Sequence, residues 1–237
     1  MKGRSKMKNI PYCQLPEIHT VSDFIDEPFV EIKENSRIVV EMQYPLLKMK
    51  NAEKRCFIRK GASDRLNYAS SLLPDKLRFK ILDAWRPFAL QKELYSTYKA
   101  KIISDFNLFS FTEKEKNDFI ANYVSIPNDD RDIPPVHTTG GAIDLTIVDN
   151  NGNELQMGTE FDSFSPKTNT DYYENTNEST IIRDNRRLLY SIMIKAGFTN
   201  LPSEWWHYDF GDRFWAYYTK TPTLYRGIFN RSEINEK

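Results

Sequence analysis

Two histidines and an aspartate are spaced as ligands of a catalytic metal ion. His137 and Asp144 lie seven positions apart across Gly140 and Gly141, and His207 follows 63 residues after Asp144. Glycine lets the backbone reverse or approach closely, so the first imidazole and the start of the next strand can converge. Two imidazoles and one carboxylate leave a tetrahedral zinc ion with a fourth position for water, as in zinc hydrolases. The sequence therefore predicts a zinc site with these three ligands.

Two further side chains could carry out chemistry beside such a metal. Glu204 precedes His207 by three positions, and its carboxylate could take a proton from the attacking water and return it to the leaving amine. Residues three apart on a strand point to opposite faces, so a turn or bulge is required between them. Arg86 is held by the following Pro87 at the end of a predicted strand, and its guanidinium could stabilise an oxyanion. An ion pair between Arg86 and Asp83 is the alternative interpretation.

Alternating and β-branched residues predict the strands that carry these side chains, and helical spacing predicts the helices between them. Strands are expected over 37–44, 76–83, 142–148 and 204–210. Helices are expected over 61–72, 88–103 and 184–196, with another starting near Phe111 behind a capping box of Thr112 and Glu115. Regular βαβ repeats are lacking. The prediction is a single α+β domain whose central antiparallel or mixed sheet carries the zinc site and is flanked by helices.

The expected domain organisation is an irregular N-terminal segment, 1–36, followed by one zinc-binding domain, 37–237. Residues 157–180 are polar and lack periodicity. A loop of that length inside a compact domain is expected to be functional, for example as a substrate lid. His19 lies in the N-terminal segment and is expected to be an ordinary surface or core histidine.

Composition and charge exclude several other classes of protein. The 237 residues carry 33 basic and 33 acidic side chains, so no net charge favours nucleic acid or an anionic membrane. The sequence shows neither a membrane-length apolar run nor the apolar core of a signal peptide, so a cytoplasmic protein is expected. Two cysteines, Cys13 and Cys56, do not make a disulfide framework. The expected partner is a small molecule.

Four ordered motifs resemble those of the zinc D-alanyl-D-alanine dipeptidases, a family that shares its fold with the hedgehog signalling domain. The motifs are the His-x6-Asp pair, the Glu-x-x-His pair, the Asp-x-x-Arg-Pro segment, and the stretch from Met157 to Asp162. The resemblance covers residues 37–215. It implies the hedgehog/D,D-peptidase fold and hydrolysis of the dipeptide D-Ala-D-Ala to two D-alanines.

The resemblance also implies a role for each residue of the site. The matching residues are Tyr44, Arg86, His137, Asp144, Asp162, Glu204 and His207. The histidines and Asp144 would bind one Zn²⁺ per chain, whose water attacks the peptide carbonyl with Glu204 as general base and acid. Arg86 would stabilise the tetrahedral intermediate, and Asp162 would pair with the free ammonium group of the dipeptide. Tyr44, expected in the first strand, matches a tyrosine near the family's pocket. Capped dipeptides would leave a buried charge unpaired and be rejected.

One position departs from the family pattern. Some relatives carry serine two residues before the first histidine, near the substrate carboxylate, whereas this chain has Pro135, which offers neither a hydroxyl nor an N–H. The exact dipeptide therefore stays open, as do the oligomeric state and the physiological role, in glycopeptide resistance, wall-precursor recycling or D-alanine salvage. Two other functions are alternatives: a D,D-carboxypeptidase acting on peptidoglycan stem peptides, and a non-catalytic, zinc-stabilised binding module.

Overall fold

The structure is a computed structural model that describes residues 7–17, 21–176 and 178–235, so His19 lies outside the described residues. Its strands are β1 (Phe29–Ile32), β2 (Ile38–Val40), β3 (Cys56–Arg59), β4 (Leu77–Asp83), β5 (Ala142–Asp149), β6 (Thr199–Asn200) and β7 (His207–Asp209). Its helices are α1 (Gln43–Leu46), α2 (Lys60–Leu72), α3 (Phe88–Asp105), α4 (Glu113–Ile120), α5 (Thr180–Lys195) and α6 (Arg213–Thr219). Within the described ranges, none of the helices combines the length and apolar character needed to cross a membrane.

Five strands form the central sheet in the order β2-β4-β5-β7-β6, and β1 pairs with β3 beside it. Strand β2 runs parallel to β4, whereas the other neighbours in the central sheet are antiparallel. The predicted α+β class with a mixed sheet is therefore confirmed. The register places Asp83, Asp144 and His207 directly opposite one another on three adjacent strands. Sheet pairing thus aligns residues that are far apart in the sequence.

The two faces of the sheet serve different purposes. Ile143 and Leu145 of β5 and Tyr208 of β7 belong to the main hydrophobic core, together with apolar residues of α2 and α5. Side chains alternate along a strand, so Asp144 and His207 point to the opposite face. Helices α2 and α5 therefore cover one face of the sheet, and the polar site lies on the other, where α1 and α3 also line it.

Three expectations about secondary structure are wrong in detail. The strand predicted over 37–44 stops at Val40, and Tyr44 lies in the single helical turn α1, since Pro45 cannot donate a hydrogen bond to a sheet ladder. The segment before residue 37 is not wholly irregular, because β1 forms there and buries Phe29 and Ile32. The strand predicted over 204–210 begins only at His207.

The predicted helices are present, with shifts at their ends. The capping box between Thr112 and Glu115 is formed at the start of α4. Helix α5 begins four residues earlier than predicted because the Ser179 side chain accepts a backbone N–H of its first turn. Gly197, with φ +93°, ends α5 in the left-handed conformation that favours glycine.

The long polar loop 157–180 is fastened from within the protein. Arg186 of α5 is only 1% exposed. Its guanidinium donates hydrogen bonds at 2.8, 2.7 and 2.6 Å to the carbonyl oxygens of Met157, Lys167 and Asn169. One buried side chain therefore bonds carbonyl groups at the start and in the middle of the loop. These hydrogen bonds fasten the loop to α5.

Candidate active site

One cavity, with a volume of about 490 Å³ including its opening to solvent, is lined by every residue that the sequence predicts for the site. These residues are Tyr44, Arg86, His137, Asp144, Asp162, Glu204 and His207. The predicted ligands come from β5, from β7 and from a 3-10 turn just before β5. The others come from α1, the segment after β4, the 157–180 loop and the turn before β7. The fold thus brings all seven positions together.

The potential ligand atoms converge on one point. His137 Nε2 lies 3.2 Å from His207 Nδ1, His207 Nδ1 lies 3.0 Å from Asp144 Oδ1, and His137 Nε2 lies 3.3 Å from Asp144 Oδ2. A tetrahedral zinc ion with bonds of about 2.0–2.1 Å separates its ligand atoms by about 3.3 Å. All three residues are buried. The two histidine nitrogens approach different oxygens of Asp144, and one ligand atom from each residue lies within 4.8 Å of the others. The cluster therefore has the donor set that a zinc ion requires and nearly the right size.

His137 is oriented by the backbone around it. Its Nδ1–H donates to the carbonyl oxygen of Ala84 at 2.8 Å, which leaves the Nε2 lone pair facing the other ligands. The turn that follows needs glycine twice. Gly140 has φ +75°, and a Cβ at Gly141 would lie 2.2 Å from the carbonyl oxygen of Phe210. The expected function of the two glycines, reversal and close approach, is confirmed.

His207 lies between two buried carboxylates. Its Nε2–H donates to Asp209 Oδ1 at 2.7 Å, so Nδ1 is the nitrogen that faces Asp144 and His137. Burial opposes a charged imidazole, but Asp209 and Asp144 raise the pKa of His207 well above its usual value. Burial likewise opposes ionisation of Asp144, yet the two imidazoles hold the pKa of Asp144 well below its usual range. The cluster thus keeps an ionised carboxylate ready for a cation.

Glu204 lies beside this cluster in a tight turn. Its backbone N–H donates to the Leu201 carbonyl at 3.0 Å, and the His207 N–H donates to the Glu204 carbonyl at 3.4 Å. This is the turn that lets two residues three apart approach the same point. Glu204 Oε2 lies 3.8 Å from His207 Nδ1, and the side chain is 22% exposed. Burial raises the pKa of Glu204 to about 8, although the charge of His207 opposes this rise; a bound metal ion would lower it again.

The Arg86 guanidinium is held on three sides. Its Nε donates to Asp83 Oδ2 at 2.9 Å, Nη1 to Gln91 Oε1 at 2.8 Å, and Nη2 to the Tyr44 hydroxyl at 3.2 Å. Nη2 lies 3.8 Å from Asp144 Oδ2. The ion pair with Asp83, the alternative interpretation, is present, and it fixes the guanidinium beside the predicted ligands. Such a preorganised donor can stabilise negative charge without moving.

Asp162 carries the third carboxylate of the cavity, between two phenols. The hydroxyls of Tyr44 and Tyr98 donate to the same oxygen, Oδ2, at 2.9 and 2.7 Å. Asp162 has φ +57°, a left-handed conformation that aspartate tolerates better than most residues. Burial raises the pKa of Asp162 to about 6, while the hydrogen bond from Tyr98 and the charge of Arg86 oppose that rise. A cation bound here would stabilise the ionised form.

Sequence analysis misses three residues that contact the predicted ones. Tyr98 falls at an apolar position of the helical spacing that predicts α3, so its polar function is not identified. Gln91, which is 1% exposed, is not identified either. The two lie seven apart on one face of α3, so a polar group on the core side of that helix is the signal that could have found them. Asp209 follows His207 by two positions, which places both side chains on one face of β7.

One cavity beside the mixed sheet is lined by two histidines, an aspartate, a glutamate and a clamped arginine. This set of residues defines the class of protein as a metal-dependent hydrolase. Residues 48–225 match the family of D-ala-D-ala dipeptidases, Peptidase M15. The chain belongs to this family, and the resemblance inferred from its motifs is confirmed.

Individual relatives agree with this assignment. A D-alanyl-D-alanine dipeptidase of Synechocystis sp. is 31% identical over 176 residues, which are 68% of this chain and 71% of that protein. The D-alanyl-D-alanine dipeptidase of Escherichia coli is 40% identical over 73 residues, 31% of this chain and 36% of that protein. That of Enterococcus faecium is 38% identical over 77 residues, 32% and 37% of the two chains. A vancomycin-resistance D,D-pentapeptidase solved with Zn(II) is 12% identical, with a TM-score of 0.39 over 73% of this chain and 85% of the other.

Proposed function

We propose that this protein is a zinc-dependent dipeptidase that hydrolyses D-Ala-D-Ala to two D-alanines. The observation that carries the proposal is the presence, in one cavity, of a three-ligand cluster and a separate, partly buried carboxylate, Asp162. The first is suited to a metal ion and the second to an ammonium group. The names of the relatives support the choice of dipeptide.

The residues that would hold a single zinc ion are His137, Asp144 and His207. Their nearest ligand atoms lie 3.0–3.3 Å apart, close to the separation that a tetrahedral ion requires. When bound, zinc polarises a carbonyl group and lowers the pKa of a bound water to about 7. Three protein ligands leave one coordination position for that water. We call these three residues the metal end of the cavity.

Glu204 is the residue that would move protons. Its carboxylate lies beside the ligand cluster, 3.8 Å from His207 Nδ1. There it can accept a proton from the attacking water and deliver one to the nitrogen of the leaving amino acid. Positioned general acid–base groups contribute about 10²–10⁴-fold to rate. The turn before β7 is what gives this glutamate access to the same point as His207.

Arg86 would bind the carbonyl oxygen of the scissile bond as negative charge develops on it. Asp83 and Gln91 occupy Nε and Nη1, so the guanidinium cannot rotate away from the cavity. A fixed donor of this kind lowers the barrier by about 3–4 kcal/mol in other enzymes. The same contacts fix Arg86 in place in the short segment between β4 and α3.

Asp162 would pair with the ammonium group of the dipeptide. The phenols of Tyr44 and Tyr98 both donate to Oδ2, which leaves Oδ1 for the substrate. We call these three residues the amine end of the cavity. A peptide with a capped or extended N-terminus would bring no charge to Asp162, and a buried carboxylate without a partner is costly. The site is therefore expected to prefer free dipeptides.

The two alternatives fit the structure less well. A D,D-carboxypeptidase would place an amide rather than an ammonium group beside Asp162, where burial already raises the pKa of that carboxyl. A binding module without activity would not require a proton-transferring Glu204 and a clamped Arg86 in the same cavity. Pro135 lines this cavity, so its missing hydroxyl affects which dipeptide is preferred.

The test is hydrolysis by the purified protein. Metal-replete protein is incubated with D-Ala-D-Ala, with N-acetyl-D-Ala-D-Ala, and with D-Ala-D-Ala after removal of metal by a chelator. We expect D-alanine release from the free dipeptide alone, and its recovery when zinc is added back. Release from the capped dipeptide at an equal or greater rate would favour the carboxypeptidase. No release from either substrate by zinc-loaded protein would contradict a catalytic function.

A further inference from the structure

Behind the metal end lies a pair of aspartates that the proposed reaction does not use. Asp209 and Asp212 are both 0% exposed. Asp209 Oδ1 accepts the Nε2–H of His207 at 2.7 Å. Asp212 Oδ1 accepts the backbone N–H groups of Phe214 and Trp215 at 3.0 and 3.1 Å, at the start of α6. One aspartate therefore contacts a proposed ligand, and the other is anchored to a helix.

The two aspartates differ in what they contact. The second oxygen of each carboxyl group, Oδ2, has no hydrogen-bond donor among the residues that the structure describes. Each side chain therefore bonds through Oδ1, and of the two it is Asp209 that contacts the imidazole of His207.

We propose that Asp209 is a positioning residue for the metal-binding nitrogen of His207. Neutral imidazole carries one N–H and one lone pair. Donation of Nε2–H to Asp209 fixes the tautomer in which Nδ1 presents its lone pair to the other ligands, 3.0 Å from Asp144 Oδ1 and 3.2 Å from His137 Nε2. The inference rests on the metal site of the proposed function.

The N–H groups of the two imidazoles bond to different kinds of acceptor, and this difference makes the proposal specific to His207. His137 donates its Nδ1–H to a neutral carbonyl, that of Ala84. His207 donates to a carboxylate, which also makes the imidazole a stronger ligand. Loss of Asp209 should therefore affect both the orientation of His207 and its basicity, whereas the contribution of His137 stays the same.

The experiment measures zinc affinity by competition with a chromophoric chelator, and the hydrogen bond at His207 Nε2–H by proton NMR of the imidazole N–H groups. Asp209→Ala should weaken zinc binding about 10–100-fold, the range seen when such supporting groups are removed, and should lose the hydrogen-bonded N–H resonance of His207. Asp209→Asn keeps an oxygen acceptor and should retain that resonance with a smaller loss of affinity.

The matched control is Asp212→Asn. Its amide oxygen can still accept the backbone N–H groups at the start of α6, and Asp212 has no hydrogen bond to His207 among the described contacts, so zinc affinity should stay within about threefold of wild type. Circular dichroism of each metal-free variant establishes that it is folded. If Asp209→Ala proves unfolded, Asp209→Asn and Asp212→Asn still decide the matter, since only the first should weaken binding.

Two outcomes separate this inference from the proposed function. Failure of wild-type protein to bind zinc would overturn the metal site itself. Tight zinc binding by wild type, Asp209→Ala and Asp209→Asn alike would leave the metal site standing and overturn the positioning role of Asp209. Equal losses in Asp209→Asn and Asp212→Asn would also contradict it, because the loss would not depend on the contact with His207.

Discussion

The metal end and the amine end of the cavity each centre on one carboxylate, buried in Asp144 and partly buried in Asp162, but the surrounding side chains support the two carboxylates in opposite ways. Asp144 lies between two imidazoles, which hold its pKa well below the usual range. Asp162 lies between two phenols, and its pKa is raised to about 6. Imidazoles can carry positive charge, whereas phenols offer only a hydrogen bond. The metal end is therefore ionised in advance, and the amine end becomes fully ionised when a cation arrives.

The backbone shows the same contrast. Asp144 and His207 are paired across adjacent strands, so their separation is set by the spacing of the sheet. Asp162 lies in a loop that Arg186 fastens through its carbonyl groups. A metal ion demands ligand positions accurate to fractions of an ångström, which strands provide. An ammonium group tolerates a wider range of positions, so a loop is sufficient.

The largest effect should follow from inactivating the chemistry while leaving both ends intact. In Glu204→Gln the amide cannot accept the proton of the attacking water, so kcat should fall about 10³-fold or more. Zinc content, measured by elemental analysis, should stay at one per chain, because Glu204 is not one of the three ligands. Asp64→Asn, an exposed change on α2, is the control. A Glu204→Gln enzyme with more than a tenth of wild-type kcat would remove Glu204 from the mechanism.

The next effect should be confined to the amine end. Asp162→Asn removes the charge that pairs with the substrate ammonium, and loss of one partner of a buried charge pair costs about 2–5 kcal/mol. We expect kcat/KM for D-Ala-D-Ala to fall about 10²–10³-fold, while zinc affinity is unchanged. The preference for the free dipeptide over its N-acetyl form should disappear in parallel steady-state assays. Retention of that preference would show that the ammonium group binds elsewhere.

The metal end could be predicted from the sequence because its information is local and chemical. The chain has only three histidines, and two of them lie at fixed spacings from Asp144 and Glu204, with Gly140 marking the turn after His137. The residues that hold the site residues in place, such as Tyr98, could not be predicted as readily. Tyr98 has the same hydrophobic spacing as a core residue, and its polar function depends on a loop that reaches it from 64 positions away.

Secondary structure shows the same limit. Long periodic segments such as α2 and β4 are predicted closely, since their own side chains determine which face is buried. Strand β1 and the one-turn helix of Tyr44 are missed because each is only four residues long. Their conformation depends on tertiary neighbours: β1 on its pairing with β3, and Tyr44 on its hydrogen bonds with Arg86 and Asp162.

The difference between the ends also predicts a cost in stability that depends on pH. The pKa of Asp162 is raised to about 6 from an ordinary value of about 3.9, so the unfolded chain loses this proton first. The resulting stabilisation is complete below about pH 4 and is lost as pH rises through 6. Metal-free Asp162→Asn should therefore be more stable than wild type at pH 7, by about 3 kcal/mol at most, and equal to it near pH 4. Urea unfolding at both pH values checks this; a constant gap between the proteins would contradict it.

The smallest effect should separate the two phenols of the amine end. Among the residues that the structure describes, the Tyr98 hydroxyl bonds only to Asp162, whereas the Tyr44 hydroxyl also accepts a hydrogen bond from Arg86. A hydrogen bond to a charged group contributes about 1.5 kcal/mol or slightly more. Tyr98→Phe should therefore raise KM about tenfold and leave kcat unchanged. Tyr44→Phe should raise KM similarly and also lower kcat, because Arg86 loses one of its supports. Equal kcat values for the two variants in steady-state assays would show that the ends act independently, with Tyr44 belonging to the amine end only.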